Sequence, residues 1–395
     1  MGGQEQAFDV VVVGGGPSGA TAATELAKAR RSVLLLDKAG RVKPCGGAIP
    51  PRLIRDFAIP ERLICAQIKS ARMVAPSHRE VDMPIDGGYV GMVNREEFDE
   101  FLRQRATATG AVRQTGLYER ITRDADGGAR VHYRTSQGET SVRARLVIGA
   151  DGALSQVARQ EVDPKGPAYV FAYHEIVRTP EPGSDPSFDG QRCDVVYDGA
   201  ISPDFYGWVF PHGATASVGS GSAQKGFALR RSVTALRAAS GLDRVETVRR
   251  EGAPIPMKPL GRWDNGKDVV LAGDAAGVVA PASGEGIYYA MVGGQFAAEA
   301  GEVFLDSGDV RALRQARKRF MKAHGRVFWI LGMMQHFWYK NDRRRERFVS
   351  ICRDPDVQSL TWQAYMNKEL VRARPAAHVR IFFKDVAHLL GLGAS

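Results

Sequence analysis

The stretch FDVVVVGGGPSGATAATELAKARRSVLLLDK, Phe8 to Lys38, constrains the fold more tightly than any other part of the chain. Phe8 to Val13 is an apolar, β-branched run that suits a strand buried on both faces of a parallel sheet. Gly14, Gly16 and Gly19 follow in G-x-G-x-x-G spacing and open an alanine-rich helix through about Lys28, with Ser18 in its first turn. A second apolar run, Val33 to Leu36, ends in Asp37 and Lys38. Gly14 makes the bend, Gly16 lets the backbone approach a pyrophosphate, and Gly19 lets helix pack on strand. The helix N-terminus turns free N–H groups toward the phosphates. Asp37, 18 residues beyond Gly19, stands where a carboxylate accepts from ribose hydroxyls. A lone glycine motif is weak evidence; strand, helix and acid in this order predict a dinucleotide site. Arg30 holds the turn after the helix, where glycine commonly adopts a left-handed conformation. If Arg30 does the same, about 1 kcal/mol of strain is expected.

The rest of the composition narrows the class. A length of 395 residues suggests two or three domains, and 44% hydrophobic with 25% charged residues is ordinary for a globular protein. The four cysteines (Cys45, Cys65, Cys193, Cys352) have no C-x-x-C pairing, and the histidines have no ligand spacing, so neither a disulfide framework nor a metal site is expected. No apolar run has the length of a spanning helix, and MGGQEQAFD lacks a charged region followed by an apolar one. A cytoplasmic location is the expectation. A net charge of +10 favours acidic partners such as anionic lipid or phosphate. No nucleic-acid motif accompanies it, so no nucleic-acid partner is expected.

Two later segments choose between dinucleotides. RLVIGA, Arg145 to Ala150, reads as a strand ending in Asp151-Gly152, with a helical SQVARQ behind it. DVVLA, Asp268 to Ala272, is another apolar strand and ends in Gly273-Asp274; a loop and a helix beginning near Gly284 follow. A carboxylate at a strand end can bond a flavin ribityl chain. Gly284, Gly286 and Ile287 at a helix start can present N–H groups to the flavin's pyrimidine edge. Either segment alone reads equally well as a strand-to-turn corner; together, and in this order, they point to FAD. A further loop, KPCGGAIPPRL from Lys43 to Leu53, puts one thiol between proline and glycines, a combination excluded from helix interiors and sheet centres.

The order of these segments resembles the flavoprotein group of aromatic hydroxylases and geranylgeranyl reductases, and most closely the geranylgeranyl reductases of chlorophyll and bacteriochlorophyll synthesis. PCGGAIPPRLIRDF, MPIDGGYVGMVNREEFDEFLR and YGWVFP (Tyr206 to Pro211) carry the resemblance. It implies non-covalent FAD, with NADPH or a comparable reductant, and saturation of isolated double bonds in a prenyl chain. It also implies that Cys45, Gly46, Gly47, Ala48 and Arg95 lie near the flavin, and that Tyr206, Trp208, Phe210 and Pro211 hold the prenyl chain. No second G-x-G-x-x-G occurs, so a separate nicotinamide domain is not expected.

The expected architecture is α/β (α+β overall). A discontinuous Rossmann-like FAD-binding domain takes residues 1–70, 96–160 and 251–310. An inserted antiparallel-sheet substrate domain takes 71–95 and 161–250, where short alternating stretches occur. A helical C-terminal region takes 311–395. In YGWVFP a strand would turn Tyr206, Trp208 and Phe210 to one face. Residues alone favour sheet core there; the resemblance favours a channel wall. GRVFWILGMMQHFWYKNDRRRERF joins an aromatic, methionine-rich run to Arg343, Arg344, Arg345 and Arg347. It reads either as a core helix with a solvated arginine run or as an element docking peripherally on an anionic membrane.

An isolated alkene is not polarised by a carbonyl, so hydride from flavin needs a matching proton. A thiol is apolar enough for a greasy channel, and free cysteine titrates near pH ~8.5, acidic enough to give that proton. Cys45 is the candidate acid, against the alternative of a small space-filling residue; the other cysteines read as structural. The expected function is FAD-dependent reduction of a geranylgeranyl group to phytyl, on bacteriochlorophyll or chlorophyll or as the diphosphate. The rivals are an aromatic hydroxylase of the same fold and a non-catalytic prenyl-group carrier.

Overall fold

The computed structural model describes residues 6–38, 43–181 and 183–368. The chain opens with β1 (Ala7–Val13), α1 (Pro17–Lys28) and β2 (Val33–Asp37). It continues through β3 (Ala48–Ile49), α2 (Pro51–Asp56), β4 (Ile64–Ile68), β5 (Ser70–Val74), β6 (Glu80–Pro84) and β7 (Val90–Val93) to α3 (Arg95–Ala108). Next come β8 (Val112–Thr115), β9 (Leu117–Arg123), β10 (Ala129–Thr135) and β11 (Gly138–Gly149). They are followed by β12 (Tyr169–Arg178), β13 (Arg192–Val196), β14 (Gly207–His212), β15 (Thr215–Ser222), α4 (Leu229–Ala239) and β16 (Thr247–Pro256). The last elements are β17 (Val269–Leu271), α5 (Ile287–Ser307), α6 (Arg314–Trp338), α7 (Asp342–Ile351) and α8 (Pro355–Asn367).

The backbone divides into two compact units. The first takes residues up to Cys45, Arg95–Val170 and Pro254–Gly332; the second takes Gly46–Asn94, Phe171–Ala253 and the chain from Met333.

In the first unit β1 lies inside a sheet of order β8-β2-β1-β11-β10-β9, with β17 also paired to β11. β1 runs parallel to β2 and β11, and Val13 is level with both Leu36 and Gly149. Val10 to Val13 are buried, as expected for a strand covered on both faces. On one face α1 packs against α3 and α5. Arg30 has φ 61°, the left-handed turn that its position after α1 required. The segment after β11 is less regular than expected: SQVARQ forms a single turn that widens into a π-type turn over Ala158–Val162.

The second unit holds a sheet of order β16-β12-β15-β14-β13-β5-β6 and a small sheet β3-β7-β4. All pairs registered in the large sheet are antiparallel except β13 with β5. Helix α4 lies on β14 and β15, and Val233, Leu236 and Leu242 join Val177, Val209 and Val218 in one buried cluster.

This division differs from the expected boundaries: residues 161–170, expected with the substrate domain, lie in the first unit, and two longer stretches also move. Residues 46–70, expected with the flavin domain, belong to the second unit because β3, β4 and β7 form a sheet of their own and β5 joins the large one. The C-terminal helices are not a separate region: α6 up to Gly332 belongs to the first unit, and the described chain from Met333 to the second. The part of the expected C-terminal region beyond Lys368 lies outside the described residues. Among the described residues no helix is long and apolar enough to cross a membrane.

Candidate functional site

The glycine turn is built by the strands around it. Gly14, at φ 106°, donates from its N–H to Leu36 O at 2.8 Å, and a Cβ there would collide with Ala150. A Cβ on Gly19 would strike Gly14 O, so α1 reaches the strand only through a glycine. Gly16 is different: among the described residues nothing lies within 4 Å of its Cβ position. That side of the turn is open for a pyrophosphate. Among the described residues the buried Ser18 Oγ beside it has no hydrogen-bond partner, an orphaned polar atom in a place where a ligand oxygen would satisfy it.

Gly273 and Asp274 form a short turn immediately after β17. Gly273, at φ 64°, abuts Ser18, which joins the two glycine-rich segments. The buried Asp274 carboxylate is ion-paired with Lys43, a partner that sequence reasoning missed. Gly286 caps α5, and its Cβ position is 3.8 Å from Asp274 Oδ1. α5 begins at Ile287 rather than near Gly284, which turns at φ 65° ahead of it, and its N-cap is itself a glycine, Gly286. The positive end of the helix dipole therefore lies beside the carboxylate. The open Gly16, the orphaned Ser18 hydroxyl and the glycine-led start of α5 all fit FAD.

Two expected ligands have other partners. Asp37, at the end of β2, faces Arg103 at 3.6 Å and accepts weakly from Gly15 N at 3.4 Å, while Arg103 also donates to Gly15 O at 3.2 Å. Arg103, from α3, thus supports the turn; Lys38 is exposed. Asp151 is a cap rather than a free flavin ligand. Its carboxylate accepts from Ser155 Oγ at 2.5 Å and from the N–H groups of Gln156 and Val157 at 2.7 and 3.3 Å. Burial, opposed by these bonds, lifts its pKa above the usual carboxylate range.

Cys45 closes the first stretch of the first unit and is half-buried. The Arg95 guanidinium, 5% exposed at the start of α3, bonds its side chain. Arg95 also donates to both oxygens of Asp99 at 2.8 and 2.7 Å. Burial works against the arginine charge, but Asp99 and then Cys45 hold its pKa above the ordinary value. Arg95, expected near the flavin, gives its guanidinium to Asp99 and the thiol.

The other cysteines fit a structural role. The Cys65 Sγ donates to Met92 O at 3.2 Å, and burial pushes the Cys352 thiol up to about 12 and Cys193 higher still.

In the second unit, Tyr206 and β14 make the expected aromatic face. Tyr206 and Trp208 rings lie 6.0 Å apart, and Trp208 and Phe210 rings 6.3 Å apart. Tyr206 itself precedes the strand and stacks on Phe205 at 4.2 Å. Pro211 is buried level with Ala216. The Phe210 ring backs Gly46, 2.9 Å from the Cβ position there, and joins Ala48 around the buried Ile68, Val90, Met92 and Cys193. Trp362, Tyr365 and Met366 of α8 pack on the same cluster. Gly47 has φ 70°, and a Cβ there would meet His212 Nε2 at 2.5 Å and Val93 O at 2.6 Å.

Behind Trp208 runs a buried polar chain that carried no sequence motif. Trp208 Nε1 donates to Ser217 Oγ at 3.1 Å; His174 contacts Ser217 Oγ at 2.8 Å through Nδ1 and Glu251 at 3.0 Å through Nε2. It fixes the indole ring from behind. Residues 174, 208, 217 and 251 lie on four strands, so only the sheet order brings them together.

The arginine run at α7 is not a uniformly solvated cluster. Arg345 is 2% exposed and donates to Tyr339 O at 2.6 Å, to Asp342 at 2.5 Å and to Pro203 O. Arg344 stacks on Phe337 at 4.1 Å and donates to Phe337 O at 3.2 Å.

The chain matches the FAD binding domain family over residues 7–294. It is 57% identical to the geranylgeranyl diphosphate reductase of Rhodobacter capsulatus, with 98% of each chain aligned. It is 35% identical to the enzyme of the same name from Synechocystis, over 96% of this chain and 97% of that one. In fold it is similar to the crystal structure of a geranylgeranyl bacteriochlorophyll reductase-like protein from Thermoplasma acidophilum. The TM-score is 0.80 and the identity 22%, covering 94% of this chain and 99% of that one. The FAD cradle of the first unit and the full-length kinship lead to one assignment: the chain belongs to the geranylgeranyl diphosphate reductase family.

Proposed function

We propose that this chain saturates isolated double bonds of a geranylgeranyl group to give phytyl, with the prenyl chain esterified to bacteriochlorophyll or chlorophyll or present as the diphosphate. The identity of 57% to a geranylgeranyl diphosphate reductase, end to end, is the observation that carries this reading. FAD, when bound, supplies the hydride. Gly14, Gly16, Ser18, Gly19, Asp274, Gly286 and Ile287 would hold it.

The proton comes from the chain. Each alkene gains a hydride at one carbon and a proton at the other; Cys45 Sγ holds that proton. Giving it up leaves the sulfur beside the Arg95 guanidinium, which bonds the Cys45 side chain. Asp99, accepting from Arg95 through both oxygens, keeps the guanidinium aimed. Tyr206, Trp208 and Phe210 offer the prenyl chain an apolar surface that excludes water, while Pro211, next along β14, points to the opposite face.

NADPH is the proposed electron donor, delivering hydride transiently because no second nucleotide motif occurs. The proposed location is peripheral, on the cytoplasmic side of the membrane that holds the lipophilic substrate. Anaerobic incubation with NADPH and each candidate substrate tests the reading. Products should gain mass in steps of two hydrogens. Unchanged substrates with a fully reduced flavin would overturn it.

A further inference from the structure

Helix α6 is amphipathic in an unusual sense. Its inner side buries Ala316, Phe320, His324 and Phe328, with Phe320 against Trp263 and Tyr289. At 3.6 residues per turn, Lys318, Lys322, Arg326, Trp329, Met333 and His336 share the outer side, and all six are exposed. Trp329 is 68% exposed and Met333 51%, which is rare for two such side chains one turn apart. No acidic residue occurs between Asp309 and Asp342. Neighbouring cations of the helix are engaged: Arg319 pairs with Glu299, and Arg317 donates to Leu260 O at 2.9 Å. Among the described residues, Lys318, Lys322 and Arg326 have no ion-pair partner.

We propose that this outer stripe of α6 docks on an anionic lipid surface. Lys318, Lys322 and Arg326 meet the headgroups, and Trp329 and Met333 enter the boundary between headgroups and acyl chains. The composition suits that boundary: an indole has an apolar body and one N–H donor, and the flanking cations attract anionic lipid. A second copy docking through the same face would set three cations against three, without an acid to offset them. The arginines around α7, the more obvious basic cluster in the sequence, include Arg345, whose charge is already held inside the unit. The proposal rests on the peripheral location argued above and names the surface responsible for it.

Flotation of the FAD-loaded protein tests it, with vesicles of phosphatidylcholine alone or mixed with phosphatidylglycerol. Wild type should float with the mixed vesicles only, and high salt should release it. Neutralising Lys318, Lys322 and Arg326 together to Gln should lower the affinity on the order of 100-fold, about fivefold per charge. Trp329→Ser with Met333→Ser should lower it at least ~10-fold. Arg343→Gln, on an exposed residue outside the stripe, should change nothing. Wild type that binds neither vesicle overturns both the location and the stripe. Wild type that floats while the α6 variants float equally overturns the stripe alone. Variants that dissociate an oligomer while floating normally make the stripe a subunit interface and also overturn the proposal.

Discussion

Replacing His212 by asparagine should remove a defined component of the protein's acid sensitivity. His212 ends β14, is 8% exposed, contacts Phe210 O through Nδ1 at 2.9 Å, and turns Nε2 to the backbone of the Gly46–Gly47 loop. Burial pushes its pKa down to about 4; the Phe210 and Gly46 backbone contacts oppose this, and His174 and Arg249 add repulsion. Between the ordinary value of 6.5 and about 4, the unfolded chain binds a proton here and the folded chain does not. Stability from this group is therefore fully present above pH 6.5 and falls as the pH drops through that window. A difference of about 2.5 units amounts to about 3 kcal/mol. Asparagine has no titrating group but can still donate to Phe210 O. At pH 7.5 the variant should be the less stable protein, because it fills less of the site. The gap should then shrink by about 3 kcal/mol as the pH falls to 4, since carboxylates common to both proteins cancel. Urea midpoints of both proteins across this range measure the gap. Parallel curves would refute the buried neutral imidazole.

The flavin cradle predicts that Asp274→Ala weakens FAD retention, read as loss of bound flavin on gel filtration; undiminished retention would remove Asp274 from the site. Cys45→Ala and Cys45→Ser should leave flavin reduction by NADPH normal but slow anaerobic reoxidation by prenyl substrate ~10²–10⁴-fold, and near-normal rates in both would make the thiol a packing residue. Arg95→Met alone should destabilise by about 3–5 kcal/mol by stranding Asp99, whereas Arg95→Met with Asp99→Leu should recover most of that stability and still reoxidise slowly. Recovery of the rate together with the stability would confine the pair to a structural role. Trp208→Ala should raise KM for the prenyl substrate more than it weakens FAD binding; a variant that merely unfolds, with normal kinetics in the folded fraction, would make the aromatic face core.

Local physics carried the sequence reading wherever a single segment sets its own geometry. The glycine turn was legible because strand, bend and helix are contiguous, and Arg30 because helices often end in a left-handed residue. The aromatic face was legible because alternation with period two is a property of any strand. Asp151 misled because an acid after a strand suits a ribityl ligand and a cap equally, and only the following backbone decides between them. Lys43, Arg103 and the His174–Ser217–Trp208 chain were invisible for a different reason. Their partners are 231, 66 and up to 43 residues away, and pairing over such distances is settled by sheet order, not by spacing. Arg345 sits in a run that looks solvated, yet three oxygen acceptors take its guanidinium inside.

The order in which the first unit acquires its strands has a consequence during synthesis. β1 has β2 beside it early, receives β11 only after residue 149, and α5 starts only at Ile287. At ~5–20 residues per second, about 15–60 s separate the emergence of the glycine turn from that of the helix end that completes the cradle. Throughout that interval the apolar flank of β1 meant for β11, and the face of α1 meant for α5, have no native neighbour. The complete flavin cradle therefore exists only late in translation. The nascent chain must be kept from pairing its bare β1 edge with other strands until then.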